Sequence, residues 1–116
     1  MDDDCVFCRL IAEQKHEGGA HGIVWFTPLN PVTDGHLLVV PAKHVADACE
    51  DPIMTARTME RAALLLAGRY GGEDANIITS IGPAATQTVR HLHLHIVPRR
   101  PGDGLHLPWT GQVSDA

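Results

Sequence analysis

The chain has no apolar run near the roughly 18 residues needed to cross a membrane as a helix. Its start, Met1-Asp2-Asp3-Asp4, is acidic and leads into no long apolar region, so it does not read as a secretory signal. Basic residues are few: 9 Lys and Arg against 14 Asp and Glu give a formal charge of −5, against a general nucleic-acid-binding surface. Cysteine is scarce and odd in number, Cys5, Cys8 and Cys49, which excludes a paired disulfide framework in the absence of an export signal. Gly-x-Gly-x-x-Gly, Gly-x-Ser-x-Gly and a Walker-type phosphate loop are all missing. There is no internal repeat, low-complexity block or linker. These absences leave one cytoplasmic domain over 1–116, with an ordered core over about 5–109 and a mobile tail over 110–116.

Histidine is plentiful, with eight in the chain, and three alternate with apolar residues in His91-Leu92-His93-Leu94-His95-Ile96-Val97-Pro98. Polar–apolar alternation is the period of a strand. A strand over about Val89 to Pro98 puts Leu92, Leu94 and Ile96 on a core face. His91, His93 and His95 then lie on the other face, about 7 Å apart. Three imidazoles are costly to bury without partners, so they read as a site rather than as incidental surface histidines. They span about 13 Å along such a strand, too far for all three to bind one zinc at about 2 Å. Nucleophilic use is more coherent, with His93 attacking and a histidine on either side. The loop Gly82 to Thr88 offers backbone N–H groups and hydroxyls to an anion.

The remaining elements follow from pattern. Cys5-Val6-Phe7-Cys8 leads into a short amphipathic helix. His16 to Gly22 reads as a loop, Ile23 to Phe26 as a strand, and His36 to Val40 as a buried strand stopped by Pro41. Asp51-Pro52 starts a long helix running to Tyr70 and ended by Gly71-Gly72. Its expected core face is Ile53, Ala56, Met59, Ala63, Leu66 and Ala67. Asn76 to Ser80 is another strand. The expected fold is α+β, a mostly antiparallel sheet of about five strands with one long and one short helix. Cys5 and Cys8 have no strand before them, against a thioredoxin-like redox pair. With His44 and His91 they could complete a Cys2His2 structural metal site.

The histidine strand resembles the motif of the histidine-triad (HIT) family, His-φ-His-φ-His-φ-φ. Asn30-Pro31 with Gly35-His36-Leu37-Leu38-Val39-Val40-Pro41-x-Lys43-His44 resembles the family's second block, and Thr86-Gln87-Thr88-Val89-Arg90 its lead into the triad. The resemblance spans about Cys5 to Trp109. It implies a HIT-like fold, usually a homodimer whose sheets join, and hydrolysis of nucleoside 5′-phosphates joined to a leaving group, such as phosphoramidates. By that resemblance His93 attacks the α-phosphorus and is transiently nucleotidylated. His95 contacts the phosphate and helps the leaving group, while His91 and His36 support the nucleophile. Gln87 and Thr88 contact the phosphate or leaving group. Cys5, Cys8, His44 and His91 hold a structural zinc.

Three positions depart from the family pattern. Pro28 stands where a carboxylate or amide commonly meets the ribose, a contact that Asn30 could partly replace. Ser80 stands where many members have Asn, and Thr86 replaces a glycine. The runner-up function is therefore a non-catalytic nucleotide- or zinc-binding regulatory protein. Transfer to a phosphate or sugar phosphate ranks last, because the short chain lacks room for an acceptor domain.

Overall fold

A computed structural model describes residues 4–109. The tail expected to be mobile, 110–116, lies outside the described residues. The order is α1 (Val6–Ala12), β1 (Gly18–Ala20), β2 (Ile23–Phe26), β3 (Leu37–Pro41), α2 (Pro52–Ala67), β4 (Ala75–Ile78), a single 3-10 turn (Pro83–Ala85) and β5 (Leu94–Pro98). The strands form one five-stranded sheet in the order β1-β2-β3-β5-β4, every neighbouring pair antiparallel. This is the expected α+β architecture, with one long helix and one short.

The sheet buries both faces because its strands alternate two apolar sets. Ile23, Leu37, Val39, Leu94 and Ile96 meet Ala62, Met54, Leu65 and Leu66 of α2. Val24, Phe26, Leu38 and Val40 meet Phe7, Leu10 and Ile11 of α1. His95 pairs with Leu38 across β3–β5 and so lies on the α1 side. The catalytic candidates therefore share a face with the Cys-x-x-Cys helix.

Four expectations changed. The segment 16–22 is not all loop: Gly18–Ala20 pairs with β2 through a two-residue turn in which His21 (φ 54°) and Gly22 (φ 80°) are both left-handed. Such turns favour Asn-Gly, and His in place of Asn hides the signal. Gly18 is required there, since a Cβ would stand 2.5 Å from the Trp25 indole. Helix α2 ends at Ala67 rather than Tyr70, closed by Gly68, while the Tyr70 hydroxyl donates to the Gly35 carbonyl at 2.7 Å.

The buried face of α2 is also rotated from the expected one. Thr58 and Ala62 are fully buried and Met54, Leu65 and Leu66 pack beside them, whereas Ile53 is 70% exposed and Met59 42%. Thr58 is tolerated because its hydroxyl donates to the Met54 carbonyl at 2.7 Å. Two small residues let the helix sit close to the sheet, which a reading weighted by side-chain size misses.

The fourth change concerns the histidines. The last strand starts at Leu94, so of the triad only His95 lies in it. Upstream backbone groups are taken by side chains: the His91 carbonyl accepts from the His93 ring at 2.7 Å, and the His93 carbonyl accepts from the Thr79 hydroxyl at 2.8 Å. A carbonyl spent on a side chain is not offered to a ladder. The alternation of sides survives, with Leu92, Leu94 and Ile96 all within 1% of full burial on the α2 side. From 99 to 109 the chain is irregular, as expected. It is pinned by Arg99, which binds Asp103 through Nε (2.8 Å) and Nη2 (3.1 Å) and Asn76 through Nη1 (2.7 Å).

Candidate active site

His36 enters the site from the residue before β3, His95 from β5, and His93 from the irregular segment between the 3-10 turn and β5. They line one cavity of about 320 Å³ with Ser80, Thr86 and Thr88. The His93 and His95 ring centroids are 5.1 Å apart, closer than an ideal strand spacing, because His93 has left the strand.

Hydrogen bonds fix which nitrogen carries each proton. The His93 Nδ1–H donates to the His91 carbonyl, 2.7 Å away. In the neutral ring its Nε2 is then the unprotonated nitrogen, able to attack an electrophile. The Val32 backbone N–H donates to His36 Nδ1 at 3.0 Å, so the neutral His36 carries its proton on Nε2. That Nε2–H donates to His95 Nδ1 at 2.9 Å. His95 therefore carries its proton on Nε2, ready to donate to an anion.

Burial keeps these rings neutral. It lowers the pKa of His36 and of His93, where the bond to the His91 carbonyl opposes it. His95 is lowered to about 4, first by burial and then by the charges of His93 and His36. A neutral base beside a neutral donor is competent for nucleophilic attack near pH 7.

Beside this cavity, Cys5, Cys8, His44 and His91 bring their ligand atoms within 4.8 Å of one another. Cys5 Sγ to His91 Nδ1 is 3.3 Å, Cys8 Sγ to His44 Nδ1 is 3.2 Å, and Cys8 Sγ to His91 Nδ1 is 3.5 Å. A tetrahedral zinc with bonds of about 2.3 Å to sulfur and 2.0 Å to nitrogen needs sulfur–nitrogen edges of about 3.5 Å. The His91 Nε2–H donates to the Pro41 carbonyl at 2.7 Å, which leaves the Nδ1 lone pair turned to the thiols. These residues fit a closed structural zinc site with no open position. Both ring nitrogens of His91 are spent here, so its link to the histidine-lined cavity is its backbone carbonyl.

The structure brings together His36, His93, His95, Ser80 and Thr88, and places His91 beside them. It does not bring in Gln87 or Asn30. Gln87 is 7% exposed, and its amide is spent on backbone groups of its own loop and of the connection after β3. Its Nε2 donates to the carbonyls of Ala46 (2.8 Å) and Val89 (3.1 Å), and its Oε1 accepts from Gly82 N–H (2.9 Å). Asn30 is exposed on the β2–β3 connection and does not line the cavity. Sequence reasoning missed Phe7, whose ring stands edge-on to His93 at 5.1 Å, and Thr79, which holds the His93 carbonyl. The position of Phe7 between two expected metal ligands was an available signal.

Comparison with known proteins agrees with this geometry. The HIT domain family matches residues 20–102. An uncharacterized HIT-like protein of Mycobacterium tuberculosis is 34% identical over 110 residues, covering 87% of this chain and 75% of the relative. The adenosine 5′-monophosphoramidase of Saccharomyces cerevisiae is 28% identical over 122 residues, covering 99% of this chain and 75% of the relative. A zinc-bound histidine triad family protein from Mycobacterium smegmatis superposes with a TM-score of 0.77 at 32% identity, over 90% of this chain and 81% of that one. The chain belongs to the HIT family.

Proposed function

We propose that the protein hydrolyses nucleoside 5′-phosphoramidates, or related nucleotidyl phosphates, through a covalent nucleotidyl-histidine. One observation carries this reading: the neutral His93 ring is pinned at Nδ1, which leaves Nε2 as a nucleophile in the cavity that His95 also lines. His93 Nε2 attacks the α-phosphorus, and the amine departs with the electron pair of the broken bond and a proton from solvent. The His95 Nε2–H donates to a phosphoryl oxygen as charge shifts onto it. Water then cleaves the phosphorus–nitrogen bond to His93, releasing the nucleoside monophosphate and restoring the free ring. Ser80 and Thr88 add hydroxyls to the phosphate site. His36 fixes the His95 tautomer, and a structural zinc sits on Cys5, Cys8, His44 and His91. The yeast relative, named for adenosine 5′-monophosphoramidase activity, supports this substrate class.

The same reading places the protein in the cytoplasm as a homodimer. Strand β4 is a sheet edge, with its own Ile78 exposed at 37% and Ile81 just beyond it at 45%, and a second copy of this chain would pair there. Among the described residues no helix is long and apolar enough to cross a membrane.

The test is AMP release from adenosine 5′-phosphoramidate by wild type and by His93→Ala. Release by wild type alone supports the reading. Equal release by both removes His93 from the chemistry. Binding of nucleotide without release by either would favour a non-catalytic nucleotide-binding protein.

A further inference from the structure

Two contacts run from the Cys2His2 cluster to the nucleophile. One is the His91 carbonyl, which accepts the His93 Nδ1–H at 2.7 Å. The other is Phe7, bracketed in sequence by Cys5 and Cys8. Its ring stands edge-on to His93 at 5.1 Å, to His91 at 5.9 Å and to Phe26 at 5.5 Å. Phe7 is 8% exposed, so its ring is packed in place against the imidazole.

Neither contact is secured by the secondary structure around it. Helix α1 has seven residues, too short to hold itself as a helix. Its place depends on apolar docking and on Cys5 and Cys8. The segment carrying His91 lies outside the sheet, and Leu92 N–H to the Val45 carbonyl (2.6 Å) is its backbone tie there. The His91 ring is anchored at Nε2 by the Pro41 carbonyl and at Nδ1 by the thiols. His44, the fourth member, lies three residues beyond the end of β3. A metal joining these four would clamp α1 and the His91 segment to the connection that leaves β3.

We propose that the Cys2His2 centre, when it holds its metal, sets the orientation and tautomer of His93, with Phe7 and the His91 carbonyl as the positioning contacts. The inference rests on the reading of His93 as nucleophile. Metal loss removes the tie between α1 and the His91 ring, leaving α1 held by apolar docking and the His91 segment by the Pro41 and Val45 carbonyls. Phe7 and the His91 carbonyl are then less firmly placed against the His93 ring, and the hold on its Nδ1 proton weakens. A ring free to carry its proton on Nε2 presents no lone pair to phosphorus. Ser80 follows β4 and His95 lies in β5, so these phosphate-facing groups keep their places and substrate binding is largely spared.

The experiment uses the full chain loaded with zinc, with Phe7→Leu beside wild type. Zinc content is measured, the protonated nitrogen of the His93 ring is read by long-range 15N–1H correlation, and kcat and KM are measured with adenosine 5′-phosphoramidate. The expected result is that Phe7→Leu keeps one zinc per chain and its KM within about twofold, while kcat falls about tenfold, as slight misplacement of a reacting group does. Its His93 spectrum shifts from an Nδ1-protonated ring toward a mixture of tautomers. Chelation of wild type produces the same shift, and added zinc reverses it. If the His93 ring stays Nδ1-protonated in both the chelated protein and Phe7→Leu, the inference is overturned. If chelation unfolds the chain, the spectrum and kcat of zinc-loaded Phe7→Leu decide alone. If wild type releases no AMP, the hydrolase reading falls, while the His93 spectrum still decides whether the centre positions the ring.

Discussion

His36 and His95 share one proton-bearing contact, and its direction is set from outside the pair. The two nitrogens are 2.9 Å apart, and the Val32 N–H on the far side of His36 assigns the proton to His36 Nε2. His36→Leu removes that donor at similar volume. His95 can then carry its proton on Nδ1 and turn a bare Nε2 toward the phosphate, where a lone pair repels an anion. Loss of one hydrogen bond of about 1.5 kcal/mol corresponds to about a tenfold fall in rate. The expected outcome is a kcat about tenfold down in steady-state kinetics. Unchanged kcat would mean that His95 does not depend on His36 for its tautomer.

Acid should unfold this protein earlier than its carboxylates alone would dictate. His95 titrates at about 4 in the fold, against an ordinary value of 6.5, because burial and its two histidine neighbours oppose its charge. Between these values the unfolded chain holds the extra proton, so stability is complete above 6.5 and is lost as pH falls toward 4. A shift of this size corresponds to at most about 3 kcal/mol. His36 and His93 act in the same direction. Urea midpoints measured from pH 7 to pH 4 should fall steadily, and more shallowly in His95→Gln. A midpoint that is flat over this range in the wild type would contradict the burial argument.

The candidate site's histidines were legible in the sequence to a greater depth than the backbone that carries them. Alternation of His91, His93 and His95 with Leu92, Leu94 and Ile96 correctly separated the two sides. It misjudged the strand, because a histidine that bonds a carbonyl two residues back competes with the ladder, and periodicity does not report that competition. The metal cluster came from residue type together with resemblance, and its four ligand atoms do converge. Helix α2 was placed to within three residues at its end, yet its buried face was misread. Apolarity favoured Ile53 and Met59, whereas close approach to the sheet selected Thr58 and Ala62. Gln87 shows a similar limit. A glutamine in a phosphate loop looks like a ligand contact until its three bonds to backbone groups are seen.

Those bonds make Gln87 a stability residue first. Gln87→Leu leaves the carbonyls of Ala46 and Val89 and the Gly82 N–H without this partner. Unsatisfied buried groups cost about 1–3 kcal/mol each, relieved where the loop can open to water. A net loss of about 2–3 kcal/mol is expected, read as a lower urea midpoint with an unchanged slope. KM should rise as the loop loosens around Thr86 and Thr88. A variant with wild-type stability and only a raised KM would return Gln87 to direct substrate contact.

Thr86 is the place where this chain departs most clearly from an easy backbone. Its φ of 67° and ψ of 28° put a β-branched residue in the left-handed region, which disfavours it by about 1–2 kcal/mol. The neighbouring bonds hold it there: Thr86 N–H donates to the Pro83 carbonyl at 2.9 Å, and Gln87 N–H to the Gly82 carbonyl at 3.1 Å. Glycine adopts this conformation freely but adds about 0.5–1 kcal/mol of unfolded-state entropy. Thr86→Gly should therefore stabilise the fold by up to about 1 kcal/mol, visible as a small rise in thermal midpoint. It also removes a side chain from the cavity wall beside Thr88, so KM for adenosine 5′-phosphoramidate should fall while kcat is little changed. A lower thermal midpoint would show that the threonine's own contacts outweigh its strain. A raised KM would show instead that the Thr86 side chain itself holds the substrate.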